Sequence, residues 1–161
     1  MGVIISDFRK EHGFLNTFFD RDGLVEYDGL VYRSVEAAFQ AAKLVGPTEE
    51  ETRKLREPFQ TITPREAKLA GSKIQRSDWD KIKLQVMYDI TYSKFLRNRD
   101  LRRRLIRTGG FQLINGNTKH DNFYGECMCN KCKNKAKANH LGKILMQVRD
   151  RLIFEEDTGV I

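Results

Sequence analysis

A β-hairpin that runs straight into a capped helix constrains this chain more than any other stretch of its sequence. Two short β-prone runs, 24–27 and 30–33, flank Asp28-Gly29, the preferred two-residue chemistry of a type I′ turn, and predict a small antiparallel sheet. Ser34 follows at once as an N-cap, and Gly46-Pro47 closes the segment behind it. The helix so bounded, 34–43, carries two stripes. Val35, Ala38, Phe39 and Ala42 are apolar, so the helix can seat closely. Glu36, Gln40 and Lys43 are spaced by four and three residues and project in line. A carboxylate, an amide and an ammonium on one rigid face form either a reaction site or a solvated face with an ordinary ion pair.

Further capping signals divide the next stretch. Thr48 with Glu51, and Thr63 with Glu66 after Pro64, read as capping boxes, with Pro58 and Gly71 ending the helices they open. From Asp78, the stripe Trp79, Ile82, Val86, Ile90 and Phe95 predicts a long central helix reaching about Asn98. Leu101, Leu105 and Ile106 mark a short helix that stops at Gly109-Gly110, and 111–114 reads as a strand. Residues 116–138 form a long irregular loop rich in His, Asp, Asn, Cys and aromatic residues, a composition that favours function. Asn139 then caps a last helix with the core stripe Leu141, Ile144, Leu145, Val148 and Leu152, and the acidic tail beyond is expected to fray.

With 161 residues the chain is long enough to bury one core, so one domain over 1–161 is expected. It contains no run of apolar residues long enough for a bilayer and no signal-peptide pattern, and its three cysteines are crowded together rather than spread as a disulfide framework. A soluble cytoplasmic protein with reduced thiols and no membrane partner is the expectation. The net charge of +7 favours anionic partners. Its basic residues cluster at Arg97, Arg99, Arg102, Arg103, Arg104 and Arg107, then at Lys131, Lys133, Lys135 and Lys137. These suit nucleic acid, a phosphorylated small molecule, or simply a solvated surface.

Three groups of residues could carry chemistry. Asn115, Asn117, His120, Asp121, Asn122, Tyr124 and Gly125 supply the convergent polar groups of a ligand pocket, or else a loop satisfying its own backbone. Trp79, the one tryptophan, is either a core anchor or a surface on which a flat ring can stack. Cys127, Cys129 and Cys132 form C-x-C-x₂-C, and with His120 or His140 they could supply four ligands to a structural zinc, or stand as free thiols in a lysine-rich loop. A P-loop, a G-x-G-x-x-G and an H-E-x-x-H are all missing, so the chemistries they serve lack support.

Taken in order, these segments resemble the NADAR family of YbiA-like N-glycosidases. The resemblance rests on Phe14-Leu15-Asn16, the run from Ser34 to Lys43, Ala67-Lys68 with Gly71, Asp78-Trp79 with Lys83 and Met87, and Lys94-Phe95. It continues through Thr108-Gly109, Gly116-Asn117-Thr118, His120-Asp121-Asn122-Phe123-Tyr124-Gly125, and Asn139 with Leu141-Gly142-Lys143-Ile144-Leu145-Met146 and Arg149. The resemblance implies a compact, mostly helical α+β fold and hydrolysis of the bond between a ribose C1 and a nitrogen. The implied substrate is ADP-ribosylated guanine, free or in nucleic acid, or a ribosylamino-pyrimidine phosphate of the riboflavin pathway. It also implies catalysis by Glu36, Lys43 and Asp121, with Asn16, Gln40, Lys73, Trp79, Asn117, Tyr124 and Asn139 holding a phosphorylated ribosyl or ADP-ribosyl substrate. Many relatives carry an acidic residue where this chain has Asn115, tryptophan where it has Lys119 and Tyr124, and arginine where it has Ser72. Two other functions fit the same residues: a non-catalytic ADP-ribose or nucleotide-binding module, and a zinc-containing nucleic-acid-binding protein.

Overall fold

The computed structural model describes residues 2–21 and 23–161. In chain order the elements are β1 (Ile4–Ile5), a 3₁₀ turn (Lys10–Leu15), β2 (Val25–Tyr27), β3 (Leu30–Tyr32), α1 (Val35–Ala41), α2 (Glu49–Arg56) and a second 3₁₀ turn (Glu57–Gln60). There follow α3 (Pro64–Gly71), α4 (Trp79–Arg97), α5 (Arg99–Arg107), β4 (Gln112–Leu113), β5 (Gly116–Asn117), β6 (Glu126–Cys127), a third 3₁₀ turn (Asn130–Cys132) and α6 (His140–Asp157). The fold is α+β and mostly helical, and the described strands form three separate two-stranded pairs. Tertiary contacts gather the chain into two units: Thr17–Leu101, and Met1–Asn16 with Arg102–Ile161.

In the Thr17–Leu101 unit, β2 and β3 pair antiparallel, with Val25 opposite Tyr32 and Tyr27 opposite Leu30. Asp28 and Gly29 both take positive φ, 50° and 83°, the backbone a type I′ turn demands. Ser34 caps α1, its Oγ accepting the Ala37 N–H at 3.1 Å. Ala37, Ala38 and Ala41 are fully buried, and their small size lets α1 lie close against α3 and α4. The hairpin is fastened to α4 where the Glu26 N–H donates to Ser93 Oγ at 3.1 Å. Arg56, itself buried, donates to the carbonyls of Ala42 and Leu44 and pairs with Asp28 at 2.7 Å, so one side chain locks α2 to the end of α1 and to the hairpin turn. Thr63 and Glu66 complete the expected capping box on α3. α2 ends at Arg56, just ahead of Pro58 as expected, and the chain continues through the 3₁₀ turn.

In the other unit β1 pairs with β4, Ile4 opposite Gln112 and Ile5 opposite Leu113, and this ladder is parallel. β5 and β6 are also parallel, Gly116 opposite Glu126. The expectation of one small antiparallel sheet is therefore right for the hairpin and incomplete for the rest. β1 and β4 lie about a hundred residues apart in sequence, and no turn chemistry announces such a pairing. Helix α6 packs on β4, and Gly142 permits the approach: a Cβ there would collide with the Leu113 carbonyl. The acidic tail does not fray after Leu152. Glu155 is held by Arg151 at 2.7 Å and Glu156 by Arg102 at 3.2 Å, so α6 continues to Asp157. No helix among the described residues is long and apolar enough to cross a membrane.

Candidate functional site

The polar stripe of α1 is buried rather than solvated: Glu36 and Gln40 are each only 7% exposed. One turn of helix sets the geometry. Gln40 Nε2 donates to Glu36 Oε1 at 2.8 Å, and Thr17 Oγ1 donates to Glu36 Oε2 at 3.3 Å, so both carboxylate oxygens are aimed. The Thr17 carbonyl also accepts the Glu36 N–H at 3.0 Å, fixing the start of the helix to the same residue that orients its carboxylate. Glu36 forms no ion pair with any described residue, and Gln40 Oε1 is buried with no hydrogen-bond partner among them. Burying an unpaired carboxylate and an orphaned amide oxygen opposes folding, a cost expected where a ligand later completes the set.

Gly71, at the end of α3, makes this arrangement possible. A Cβ there would collide with Gln40 Oε1 and lie 2.7 Å from Gln40 Cβ, so only glycine lets the two helices meet. The Gly71 carbonyl in turn accepts from Lys43 Nζ at 3.1 Å. Burial pushes the Lys43 ammonium below its ordinary pKa, against the opposing pull of the Glu36 carboxylate. Trp79 opens α4 half-buried, tilted against Phe39 with ring centroids 4.9 Å apart and with Lys43 Nζ 5.8 Å from its own ring centroid. It is thus part core anchor and part wall beside Lys43. Lys73 is exposed beyond α3.

Two features of this unit were not singled out from the sequence. Arg76 Nη1 donates to the Ala42 carbonyl at 2.8 Å while its Nε pairs with Asp78 at 2.6 Å, so it pins the end of α1 to the start of α4. Arg76 also lines a cleft of about 700 Å³ with Asp28, Gly46, Thr48, Arg53 and Arg56. That cleft does not include the Glu36 face, where the buried carboxylate lies. The Arg76-x-Asp78 spacing before the helix was the available signal.

The remaining expected residues lie in the other unit, and most of their polar atoms are spent on the loop itself. Asn117 Oδ1 accepts the N–H groups of Lys119 and Asp121 at 3.0 and 3.2 Å, and its Nδ2 donates to the Asp121 carbonyl at 2.8 Å. Asp121 Oδ1 accepts the N–H groups of Phe123 and Tyr124 at 3.1 and 2.9 Å. Asn139 occupies the expected N-cap position of α6 but makes no side-chain capping bond there. It is buried in left-handed backbone (φ 48°), and its amide accepts from the Asn115 N–H at 2.9 Å and donates to the Leu113 carbonyl at 3.0 Å. Its role is to stitch the start of α6 to the strand before the loop. Tyr124 packs edge-on to Phe123 at 4.8 Å, and Asn16 ends the first 3₁₀ turn, its Nδ2 reaching the Phe8 carbonyl at 3.4 Å.

His120 Nδ1 lies 3.3 Å from Cys129 Sγ, 3.3 Å from Cys132 Sγ and 3.9 Å from Cys127 Sγ, and Cys127 and Cys129 sulfurs are 3.3 Å apart. His140, the alternative fourth ligand, is elsewhere, its ring 4.5 Å from that of Phe123. Of the arginine cluster, Arg102 is tied to Glu156, and Arg104 lies over Phe14 at 4.2 Å while donating to the Glu11 carbonyl. Those two have packing duties that a purely phosphate-binding stripe would not give them.

The family description of the NADAR domain matches residues 6–153, and the chain belongs to that family. Among its relatives, the N-glycosidase Npun_R5314 of Nostoc punctiforme is 37% identical over 124 residues, covering 75% of this chain and 74% of that one. The N-glycosidase YbiA of Escherichia coli is 30% identical over 133 residues, covering 82% and 78%. The chloroplastic riboflavin biosynthesis protein PYRR of Zea mays is 29% identical over 134 residues, which are 78% of this chain and 20% of that protein. The NMR structure of E. coli YbiA matches 97% of this chain and 89% of its own with a TM-score of 0.75 at 26% identity.

Proposed function

We propose that this NADAR-family chain is an N-glycosidase that hydrolyses the bond between a ribose C1 and the nitrogen of a flat heterocycle, with Glu36 as its principal catalytic group. The observation that carries this reading is the buried Glu36 carboxylate, aimed by Gln40 and Thr17, near enough to Lys43 to act on its charge but in ion-pair contact with no described residue. Breaking a C1–N bond leaves positive charge on the sugar ring and puts the bonding pair on the departing nitrogen. A desolvated carboxylate beside C1 stabilises the first and orients the water whose oxygen bonds to C1. One water proton stays on the new sugar hydroxyl and the other goes to the leaving nitrogen. Lys43, its proton held less firmly than usual, serves either as an amine that attacks C1 of the opened sugar or as a cation for the substrate's phosphate. Borohydride treatment during turnover decides between these: a trapped Lys43 adduct supports the first, and its absence leaves the second.

The substrate we assign is a phosphate-bearing ribosyl group on a heterocyclic nitrogen, as in ADP-ribosylated guanine or a ribosylamino-pyrimidine phosphate. The riboflavin-pathway name of PYRR supports the latter, and the net charge of +7 suits the phosphates of either. Incubating wild type and Glu36→Ala with each compound, and reading products by mass spectrometry, tests the proposal. Release of free ADP-ribose or ribose phosphate by wild type alone is the expected result. If neither compound is cleaved while both still bind, the glycosidase reading is wrong and the chain is a nucleotide-binding module.

A further inference from the structure

Four potential metal ligands converge in the 116–138 loop. His120 Nδ1 and the sulfurs of Cys127, Cys129 and Cys132 all lie within 4.8 Å of one another. A tetrahedral zinc with Zn–S near 2.3 Å and Zn–N near 2.0 Å sets its ligand atoms about 3.5–3.8 Å apart. Four of the six observed separations, 3.3, 3.3, 3.3 and 3.9 Å, lie on either side of that range, and the other two do not exceed 4.8 Å. The three cysteines are free thiols, and an odd number of them cannot be used up by an internal disulfide.

Independent features of the backbone point the same way. His120 adopts φ 65°, left-handed backbone that is uncommon outside glycine, although His takes it more often than most side chains do. This conformation turns an otherwise exposed imidazole toward three sulfurs, two of which are fully buried. The sulfur-bearing segment is held in place by its own hydrogen bonds. Asn122 Oδ1 accepts the Cys127 N–H at 2.9 Å, and the Cys132 N–H donates to the Cys129 carbonyl at 3.1 Å, closing the 3₁₀ turn between the last two cysteines. Side-chain hydrogen bonds of Asn117 and Asp121 hold the stretch before the cysteines, and the loop has little regular structure. Its regular structure is one two-residue ladder and that single turn, and Phe123 and Met128 are exposed.

We propose that His120, Cys127, Cys129 and Cys132 form a Cys₃His zinc site that staples this loop. All four tetrahedral positions come from the protein, so the site is closed and structural rather than catalytic. On binding, the three thiols release their protons and ligate as thiolates, with neutral imidazole as the fourth donor. The assembly then carries one net negative charge, in a segment with exposed Lys131 and Lys133 to balance it. Because His120 precedes Asp121, fixing its backbone also fixes the turn in which Asp121 receives the Phe123 and Tyr124 N–H groups.

The first test is the zinc content of the full chain, purified under reducing conditions without added metal, together with Co(II) titration of the chelator-treated chain. About one zinc per chain is expected, with the visible absorption of tetrahedral thiolate-bound cobalt and thiols that react with a disulfide reagent only after chelation. Cys132→Ser and His120→Ala should each lower the zinc content at least several-fold, and His120→Cys should retain it. If the serine variant fails to fold, the cobalt spectrum of the wild type still decides. Less than a tenth of a zinc per chain, no tetrahedral cobalt spectrum, and thiols equally reactive with and without chelator would overturn the site. None of these readouts involves glycosidase activity, so the two proposals fail separately.

Discussion

Helix α1 and the 116–138 loop both present Asn, Gln, Asp or Glu side chains at a point where the family resemblance expects function, yet they hold them by opposite means. On α1 the polar atoms are outnumbered by apolar support. Val35, Ala38, Phe39 and Ala42 are buried, the backbone satisfies itself, and Glu36 and Gln40 keep atoms available for a ligand. In the loop the economy is reversed. Asn117, Asp121, Asn122 and Asn139 stand in for the missing ladder, each using its side chain to satisfy main-chain groups. A polar residue on a well-packed helix is free to do chemistry, whereas one in an irregular loop is first needed to hold the loop.

The sharpest way to break that contrast is at Glu36. Glu36→Gln retains an acceptor for Gln40 but removes the charge. Glycosidase turnover is expected to fall about 10²–10⁴-fold while the thermal midpoint changes little, as steady-state kinetics beside calorimetry would show. A large loss of stability with unchanged turnover would make Glu36 a structural residue like those of the loop.

Gly71→Ala tests the packing that holds the α1 face. The added methyl meets Gln40, and about 2–3 kcal/mol of destabilisation by urea unfolding is expected, with weakened activity, since Gln40 must move. A well-tolerated alanine would mean that α3 does not set the position of Gln40.

Asp121 sharpens the comparison from the other side. Asp121→Ala loses two accepted N–H bonds and should cost about 1–2 kcal/mol, whereas Asp121→Asn keeps an oxygen in place and should cost a few tenths. If the asparagine variant folds normally yet loses turnover, Asp121 is catalytic as well as structural, and the contrast drawn above fails for this residue.

The hairpin behind α1 supplies a pH test. Burial pushes the Tyr32 phenol up to about 12. The unfolded chain gives up this proton near pH 10 while the folded one retains it, so stability present below pH 10 should decline as pH rises from 10 towards 12, by about 2 kcal/mol at most. Tyr32→Phe should flatten that decline at little cost below pH 10, because the hydroxyl is buried with no hydrogen-bond partner among the described residues. An unchanged alkaline profile in the variant would assign the loss to other groups.

Local signals in the sequence proved dependable wherever the physics is local. Asp28-Gly29, Ser34 and the Thr63-Glu66 box each specify a turn or a cap through their own backbone geometry or side-chain reach, and each is seen as expected. The stripe from Trp79 to Phe95 likewise yields a single helix ending at Arg97. What escaped depends on partners distant in the chain. The parallel pairing of β1 with β4 has no connecting turn to read. The extension of α6 to Asp157 depends partly on Arg102, more than fifty positions earlier.

By itself, the amino-acid order determined that Glu36 and Gln40 share a helix face, because a period of 3.6 residues requires it, whereas the helix expected to reach Lys43 stops at Ala41 and leaves Lys43 in the turn behind it. It also determined that three thiols lie close along the chain. Tertiary structure alone decided that the helix face is buried against Gly71 and Thr17 rather than solvated, and that His120, not His140, joins the sulfurs. Burial and convergence are properties of segments brought together through space, and the free energy that selects them is spread over contacts that no local window contains.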